Sequence, residues 1–458
     1  MTHADQSRLV TTGTGRTDRS RLSGLVFAAI LAASPGVDAT AAEPSGAMDM
    51  RSEQVSGHAD SVERLINEAL AHSPELTAAR FEAEAARQRI APAAALDDPM
   101  LELGVLNAPV NSFSLRREDM TMKMLGFSQK LPFPGKRDLR RSVATAQSEG
   151  ANLAAQENTN KVVRDVRIAY EDLVFNAEAR RILSRTEMTL EQLVAITDSR
   201  HHVGQASQSD VIEAQTELGR LRVTRLQLER DGQVLQSQLR RLLGRSGDEQ
   251  AIDVGQPMLR PALETEPDPR TEALANRPQL LALKSATERY SSALELAQRE
   301  YYPDFDVRLS YGQRERSLDG LPRDDMVSLT VAVNLPIWRK SRLEPQVAEA
   351  RAMRNEAQAM LRAQQLETTA ALDEQLAATH QWQESAELYR TTLHPQARAA
   401  VASALAAYQV GKVDFLTLRQ AEMRELETGT RHAEAIANYN KARAEIDLLV
   451  GRSWRDSK

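Results

Sequence analysis

Met120, Met122 and Met124 are spaced two apart, so on a β-strand they would share one face, and thioether sulfur suits a soft cation such as Cu(I). Met326 opens a later strand that would pair nearby. The same residues also fit as filler on an inner-facing or rim position, and no metal site is assigned. His201 and His202 are adjacent on a helical stretch, where neighbours point in different directions, so they make a poor chelate and are read as non-ligands. Carboxylates gather near two Val-Gly turns: Asp210 and Glu213 follow the first, and Asp414 lies in the second with Thr417 and Gln420 beyond it. Such acids could concentrate cations, pair with basic groups, or form a solvated helix face. No Ser-His-Asp arrangement, HExxH, P-loop or dinucleotide loop occurs, so an enzyme is not expected and no cofactor is implied.

The rest of the composition concerns scaffolding. The chain has 458 residues, is 41% hydrophobic, 4% aromatic and 27% charged, and carries a net charge of -6. It has no cysteine, which excludes disulfides, thiolate metal sites and cysteine nucleophiles. With only 21 Gly and 18 Pro, the composition favours long helices. A mean hydropathy of -0.46, with no apolar run of about 18 residues, argues against a multi-span helical membrane protein. The acidic balance offers no basic stripe for nucleic acid.

Arg16, Arg19 and Arg21 precede the apolar run Leu25–Ala33, and Ala39-Thr40-Ala41 fits a small-residue cleavage site, so residues 1–41 read as a secretory signal. Residues 42–58 read as a flexible lead-in. No cysteine is available to accept a lipid anchor.

An internal duplication organises the remainder. EALAHSPELTAA from Glu68 lines up with EALANRPQLLAL from Glu272 at an offset of 204, which then holds through Pro99 and Pro303 to QKLPFPGK (Gln129–Lys136) and VNLPIWRK (Val333–Lys340). Farther on the offset is 207: Val203-Gly204 matches Val410-Gly411, and LLGRS from Leu242 matches LVGRS from Leu449. The first copy spans 59–253, a Pro- and acid-rich linker 254–270, the second copy 271–453, and a tail 454–458.

Each copy has one order of elements. A helix comes first, about 60–91 and 271–301, ended by Pro92 or Pro303. Two strands follow, about 99–110 and 119–131 in the first copy and about 304–313 and 325–335 in the second. Phe305, Val307, Leu309 and Tyr311 alternate with polar or small residues, as do Val327, Leu329, Val331 and Val333. This period suits a tilted barrel strand between lipid and water, and equally a half-buried hairpin in a soluble domain. Long helical hairpins complete the copies, about 136–244 and 341–451. Lys136 to His202 contains no proline and one glycine, and at about 1.5 Å per residue makes a rod near ~100 Å. In the second rod Pro345 sits in the first turn and Pro395 predicts a kink. Val162, Val166, Ala169 and Leu173 form one seam, and Val211, Ala214, Leu218, Leu221, Leu228, Leu235, Leu239 and Leu242 another.

Four strands cannot close a membrane barrel, because open edges in lipid leave backbone groups unpaired. Two chains supply eight strands and three supply twelve, and twelve leave room for a lumen, so three-fold symmetry suits a conduit. The order of these motifs resembles the TolC family of outer-membrane efflux channels over nearly the whole chain after the leader: HSPEL and NRPQL starts, DDPML and YPDF entering strands, QKLPFPGKRDLR and VNLPIWRKSRL leaving them, and the two VG turns.

The resemblance implies a mainly α protein with a β-barrel part. Its homotrimer would form a twelve-stranded outer-membrane barrel continuing into a periplasmic α-helical coiled-coil tunnel. The chain would act as a passive conduit with a periplasmic adaptor protein and an inner-membrane resistance-nodulation-division pump. Gly135-Lys136-Arg137 looks most like the heavy-metal branch of the family. The family's tip turns imply adaptor contacts at Val203, Gly204, Gln205, Val410, Gly411 and Lys412. They also imply a constricting acidic ring near Asp210 and Glu213, thinned in the second copy to Thr417 and Gln420, with Asp414 as a substitute. Pro99, Pro132, Pro303 and Pro336 mark the barrel-to-helix transitions. Drug efflux, type I protein secretion and a periplasmic coiled-coil scaffold without a pore stay open as alternatives.

Overall fold

A computed structural model describes residues 61–246, 251–261 and 268–452. The expected signal segment, the lead-in and the tail 454–458 lie outside the described residues, as does part of the linker. The first copy contains α1 (Val62–His72), α2 (Pro74–Gln88), α3 (Ile90–Ala94), β1 (Met100–Leu106), β2 (Met122–Leu131), α4 (Lys136–His202) and α5 (Gln208–Leu243). The second contains α6 (Pro269–Asn276), α7 (Pro278–Arg299), β3 (Phe305–Gln313), β4 (Met326–Val333), α8 (Glu344–Leu388), α9 (His394–Gln409) and α10 (Phe415–Val450).

Several expected boundaries move. The opening helix of each copy is broken just before a proline: Ser73 ends α1 and caps α2, accepting from Leu76 N at 3.4 Å, and Arg277 separates α6 from α7. Pro74 and Pro278 then sit in first turns, where no N–H is needed. Pro92 does not end its helix but lies within the short α3, after a break at Arg89. β1 stops at Leu106 rather than 110, because Asn107 adopts φ 54 and its carbonyl accepts from Thr121 Oγ1 at 2.8 Å. The kink expected at Pro395 is a five-residue π-helical turn, Tyr389–Leu393, and a second such turn, Arg339–Leu343, precedes Glu344-Pro345. In both, the carbonyl four residues before the proline, which has lost its N–H partner and must clear the ring, falls inside the widened turn.

The four strands form one antiparallel sheet in the order β1-β2-β3-β4, leaving β1 and β4 as edges. Its register puts Leu101 opposite Phe127, Phe127 opposite Leu309, and Leu309 opposite Leu329. Leu103, Val105, Leu125, Tyr311, Val327 and Val331 share that face, and all of these are exposed in the single chain. The opposite face carries Glu102, Gly126, Ser128, Asp306, Arg308, Ser310, Ser328 and Thr330, with Arg308 paired to Glu102 at 3.1 Å. The alternation read in the sequence is therefore one continuous apolar sheet surface. Among the described residues no helix is long and apolar enough to cross a membrane.

α4 is the central rod, packed against α1, α2, α5, α7 and α10. The two seams meet in clusters at separate heights. Val162, Val166, Ala169 and Leu173 join Leu65, Ile66, Leu239 and Leu243 nearer the sheet, while Leu190, Leu193, Ala214 and Leu221 join Tyr408, Phe415 and Leu418 near the turns. The linker residues Met258 and Arg260 lie along α10: Asn440 donates from Nδ2 to the Met258 carbonyl at 2.8 Å and accepts from Arg260 N at 3.0 Å.

The sheet joins the rods through Lys136, which is fully buried. Its Nζ donates to Glu300 at 3.1 Å and to the Tyr302 carbonyl at 3.1 Å, and lies 2.9 Å from Asp304. Asp304 also accepts from Phe133 N at 2.7 Å, and the Phe133 ring stacks on Tyr302 at 4.7 Å. All three partners of this first-copy lysine come from the second copy, so the junction locks the copies together. Lys136→Met keeps the length but leaves two carboxylates uncompensated. The expected cost is about 3 kcal/mol, at the low end for a broken buried pair because both acids retain some solvent. A lowered thermal midpoint in detergent would show it, and an unchanged midpoint would refute it.

Candidate functional site

The far ends of the rods are two turns built alike. Gly204 (φ 74) and Gly411 (φ 73) take the left-handed conformation that reverses each helix. Gln205 N donates to the Arg200 carbonyl at 2.8 Å, and Lys412 N donates to the Ala407 carbonyl at 2.9 Å. Val203 and Val410 are 67% and 68% exposed, so both copies present an apolar side chain to solvent where the fold has no use for one. Gln205 and Lys412 are exposed beside them. The structure thus brings the six sequence-predicted turn residues to one end of the molecule.

The carboxylates are partly committed to the helices. Asp210 accepts from Ser207 N at 3.1 Å while Ser207 Oγ accepts from Asp210 N at 3.1 Å, a reciprocal cap on α5. Asp414 caps α10, accepting from Thr417 N at 2.9 Å and Thr417 Oγ1 at 2.6 Å, and these bonds hold its carboxyl below the usual range. Glu213 lies 3.4 Å from Arg419, whose Nη1 also donates to Glu217 at 3.2 Å, so the pair bridges α5 and α10. Thr417 and Gln420 are exposed.

Residues not singled out in the sequence hold the two turns side by side. Tyr408 is buried, its hydroxyl 2.9 Å from Thr197 Oγ1 and its ring edge-on to Phe415 at 6.2 Å. The Arg200 guanidinium lies 4.6 Å over the Tyr408 ring and donates to the Tyr408 carbonyl. Aligning the copies at their offset of 207 would have found two of these residues: Tyr408 stands where the first copy has His201, and Arg419 where it has Ile212. Both are departures from the repeat that join it to its other half.

The remaining candidates separate. Met122 and Met124 lie on the inward sheet face, but Met120 falls in the preceding turn, so the three do not share a strand. Met122 is 8% exposed and its sulfur packs so closely on Gly312 that a Cβ there would lie 2.3 Å away. His201 Nδ1 is 3.1 Å from the Ala206 carbonyl, and His202 pairs with Asp198 at 3.7 Å. Among the described residues no group of three or more His, Asp or Glu side chains is placed to hold a metal ion. Pro99 and Pro303 immediately precede the strands, by one and two residues, and Pro132 and Pro336 follow them, at the bends into the rods.

The architecture is an apolar-faced four-stranded sheet joined to a duplicated helical rod. The chain belongs to the outer membrane efflux protein family, whose model matches residues 65–245 and 270–452. Its fold is that of solved proteins of low identity. The outer membrane protein VceC from Vibrio cholerae has TM-score 0.72 and 19% identity, covering 85% of this chain and 96% of that one. The CmeC outer membrane channel from Campylobacter jejuni has TM-score 0.74 and 13% identity, covering 93% and 95%. A membrane protein from Pseudomonas aeruginosa has TM-score 0.74 and 20% identity, covering 87% and 92%. No curated protein matches the chain by sequence.

One carboxylate near the turns is unlike the others. Glu422 on α10 is buried, its Oε1 has no hydrogen-bond partner, and burial, aided by the charge of Glu425, pushes its carboxyl up to about 7. Burial likewise raises Glu171 to about 7, against the opposing hydrogen bond from Asn440. Both groups hold protons in the folded chain that the unfolded chain releases from an ordinary value of 4.5. Their contribution to stability is full below that value and is lost as pH rises through about 7. Denaturation midpoints between about pH 5 and pH 8 should therefore fall less steeply in Glu422→Gln, with the Glu171 share remaining. An identical slope in the variant would contradict the assignment.

Proposed function

We propose that the chain is the outer-membrane channel of a tripartite efflux system, a passive conduit driven by an inner-membrane pump through a periplasmic adaptor. The observation that carries this reading is the outward apolar sheet face, continuous over four strands whose two edges are unpaired. Family membership and the likeness to solved outer-membrane channels support it. In this reading three chains pool their strands into a twelve-stranded barrel in the outer membrane, and the rods surround a periplasmic tunnel. The scaffold alternative leaves the apolar face without a partner and is set aside.

The adaptor is proposed to seat on the paired turns, with Val203 and Val410 as apolar contacts and Gly204, Gln205, Gly411 and Lys412 beside them. The constricting ring is proposed to draw on Asp210, Glu213 and Asp414, each already engaged within the chain, Asp210 and Asp414 by their caps and Glu213 by Arg419 at 3.4 Å. Cargo is proposed to be heavy-metal cations, on the resemblance carried by Gly135-Lys136-Arg137.

The protein purified from membranes should run as a heat-modifiable oligomer and conduct ions in planar bilayers. Recovery as a water-soluble monomer that conducts nothing would end the channel reading. Deletion of the gene should reduce growth on copper, silver, zinc, cobalt or cadmium salts; unchanged metal tolerance with lost tolerance to hydrophobic drugs would reject the cargo.

A further inference from the structure

The sheet-to-rod junction occurs twice in the chain and is complete once. In the complete one, Lys136 and Phe133 leaving β2 meet Glu300, Tyr302 and Asp304 entering β3. The offset of 204 carries Phe133 and Lys136 to Ile337 and Lys340 beyond β4, and carries Glu300, Tyr302 and Asp304 to Leu96, Asp98 and Met100 before β1. Within one chain these two halves sit at opposite edges of the sheet.

Both halves are open. Leu335, Ile337 and Trp338 are 72%, 68% and 68% exposed, and Lys340 is exposed next to Arg339 and Arg342. On the other side Leu96 and Met100 are exposed around Asp97 and Asp98, which have no ion pair among the described residues. One half is apolar and basic, the other apolar and acidic. An exposed tryptophan beside a cluster of three cations has no role in the isolated chain.

We propose that the two halves complete each other between subunits, with Lys340 of one chain placed against the Asp97-Asp98 pair of the next and Ile337 and Trp338 covering that chain's Leu96 and Met100. The inference rests on the oligomeric channel reading and adds its register. Within the chain Phe127, Gln129 and Leu131 pair with Leu309, Val307 and Phe305. The same offset applied in both directions sets Val331 opposite Val105, Val333 opposite Leu103 and Leu335 opposite Leu101 of the next subunit. Every apolar side chain then stays on the outward face, which a slip of one residue would reverse. The acids of the second junction lie one or two residues from where Glu300 and Asp304 place theirs. Lys340 also sits in a π-helical turn, where Lys136 begins a regular α-helix, so the contact is a shifted version of the first.

Because the chain has no cysteine, introduced pairs report without background. Val333→Cys with Leu103→Cys, and separately Lys340→Cys with Asp98→Cys, should give disulfide-linked dimers and trimers on oxidation in membranes, and no single variant should give the trimer. The pair displaced by two residues, Val333→Cys with Val105→Cys, should link at least about fivefold less. Lys340→Glu should reduce the heat-resistant oligomer and Asp98→Lys in the same chain should restore it. Preferential linking of the displaced pair in a protein that still conducts would overturn this junction while leaving the channel reading intact. A non-conducting monomer would remove both.

Discussion

A four-stranded sheet with an apolar outer face and two unpaired edges is not a finished structure in water or in lipid. In water the face exposes leucine, valine and phenylalanine side chains from all four strands. In lipid the edges β1 and β4 leave backbone donors and acceptors without partners, at several kcal/mol for each group. Everything else in the chain answers that constraint. The strands are short, and most of the mass is carried by helices that bury their own apolar seams. In the proposed channel the chain thus combines a hydrophilic average with a membrane-facing part. A mean hydropathy of -0.46 averages a few short alternating strands with long solvated rods.

The duplication supplies both the repeat and its exceptions. Cap and turn geometry are repeated closely, as in the left-handed Gly204 and Gly411 and the serine or aspartate that starts each return helix. The residues that join the copies are those that break the pattern. Lys136 is fully buried by acids of the other copy, while Lys340 is exposed. Tyr408 and Arg419 replace His201 and Ile212, and reach Thr197, Glu213 and Glu217 in the first copy. The second rod also contains two π-helical turns where the first runs uninterrupted for 67 residues.

Much of this was legible in the sequence because its signals are periodic. Period two placed the apolar face of β3 and β4, the heptads placed buried residues of α4 and α5, and the constant offset placed equivalent turns. Boundaries were less legible. Ser73 and Arg277 break helices at points where the apolar pattern continues, and Asn107 ends β1 through a backbone conformation that no pattern announces. The methionine set failed for a related reason: a spacing of two implies a common face only inside a strand, and the strand begins at Met122. Cross-copy contacts such as Arg200 over Tyr408 could not be read at all from either copy alone, since they depend on how two hairpins lie against each other.

The turns show how stability and contact are divided among a few side chains. Asp210 and Asp414 fix the return helices by capping, and Arg419 ties α5 to α10 through Glu213 and Glu217. These bonds account for the local charges but not for Val203 and Val410, which the fold leaves bare at equivalent points of both hairpins. In the proposed channel three chains would present six such valines around the end of a tunnel. Apolar points spread over several exposed turns suit the broad surface of a partner protein better than a small ligand. Within the chain the two hairpins are held together at that end by contacts that include the Arg200–Tyr408 and Arg419–Glu217 bonds. A partner seated on the turns in the proposed channel would lie close to the residues that hold the two hairpins together.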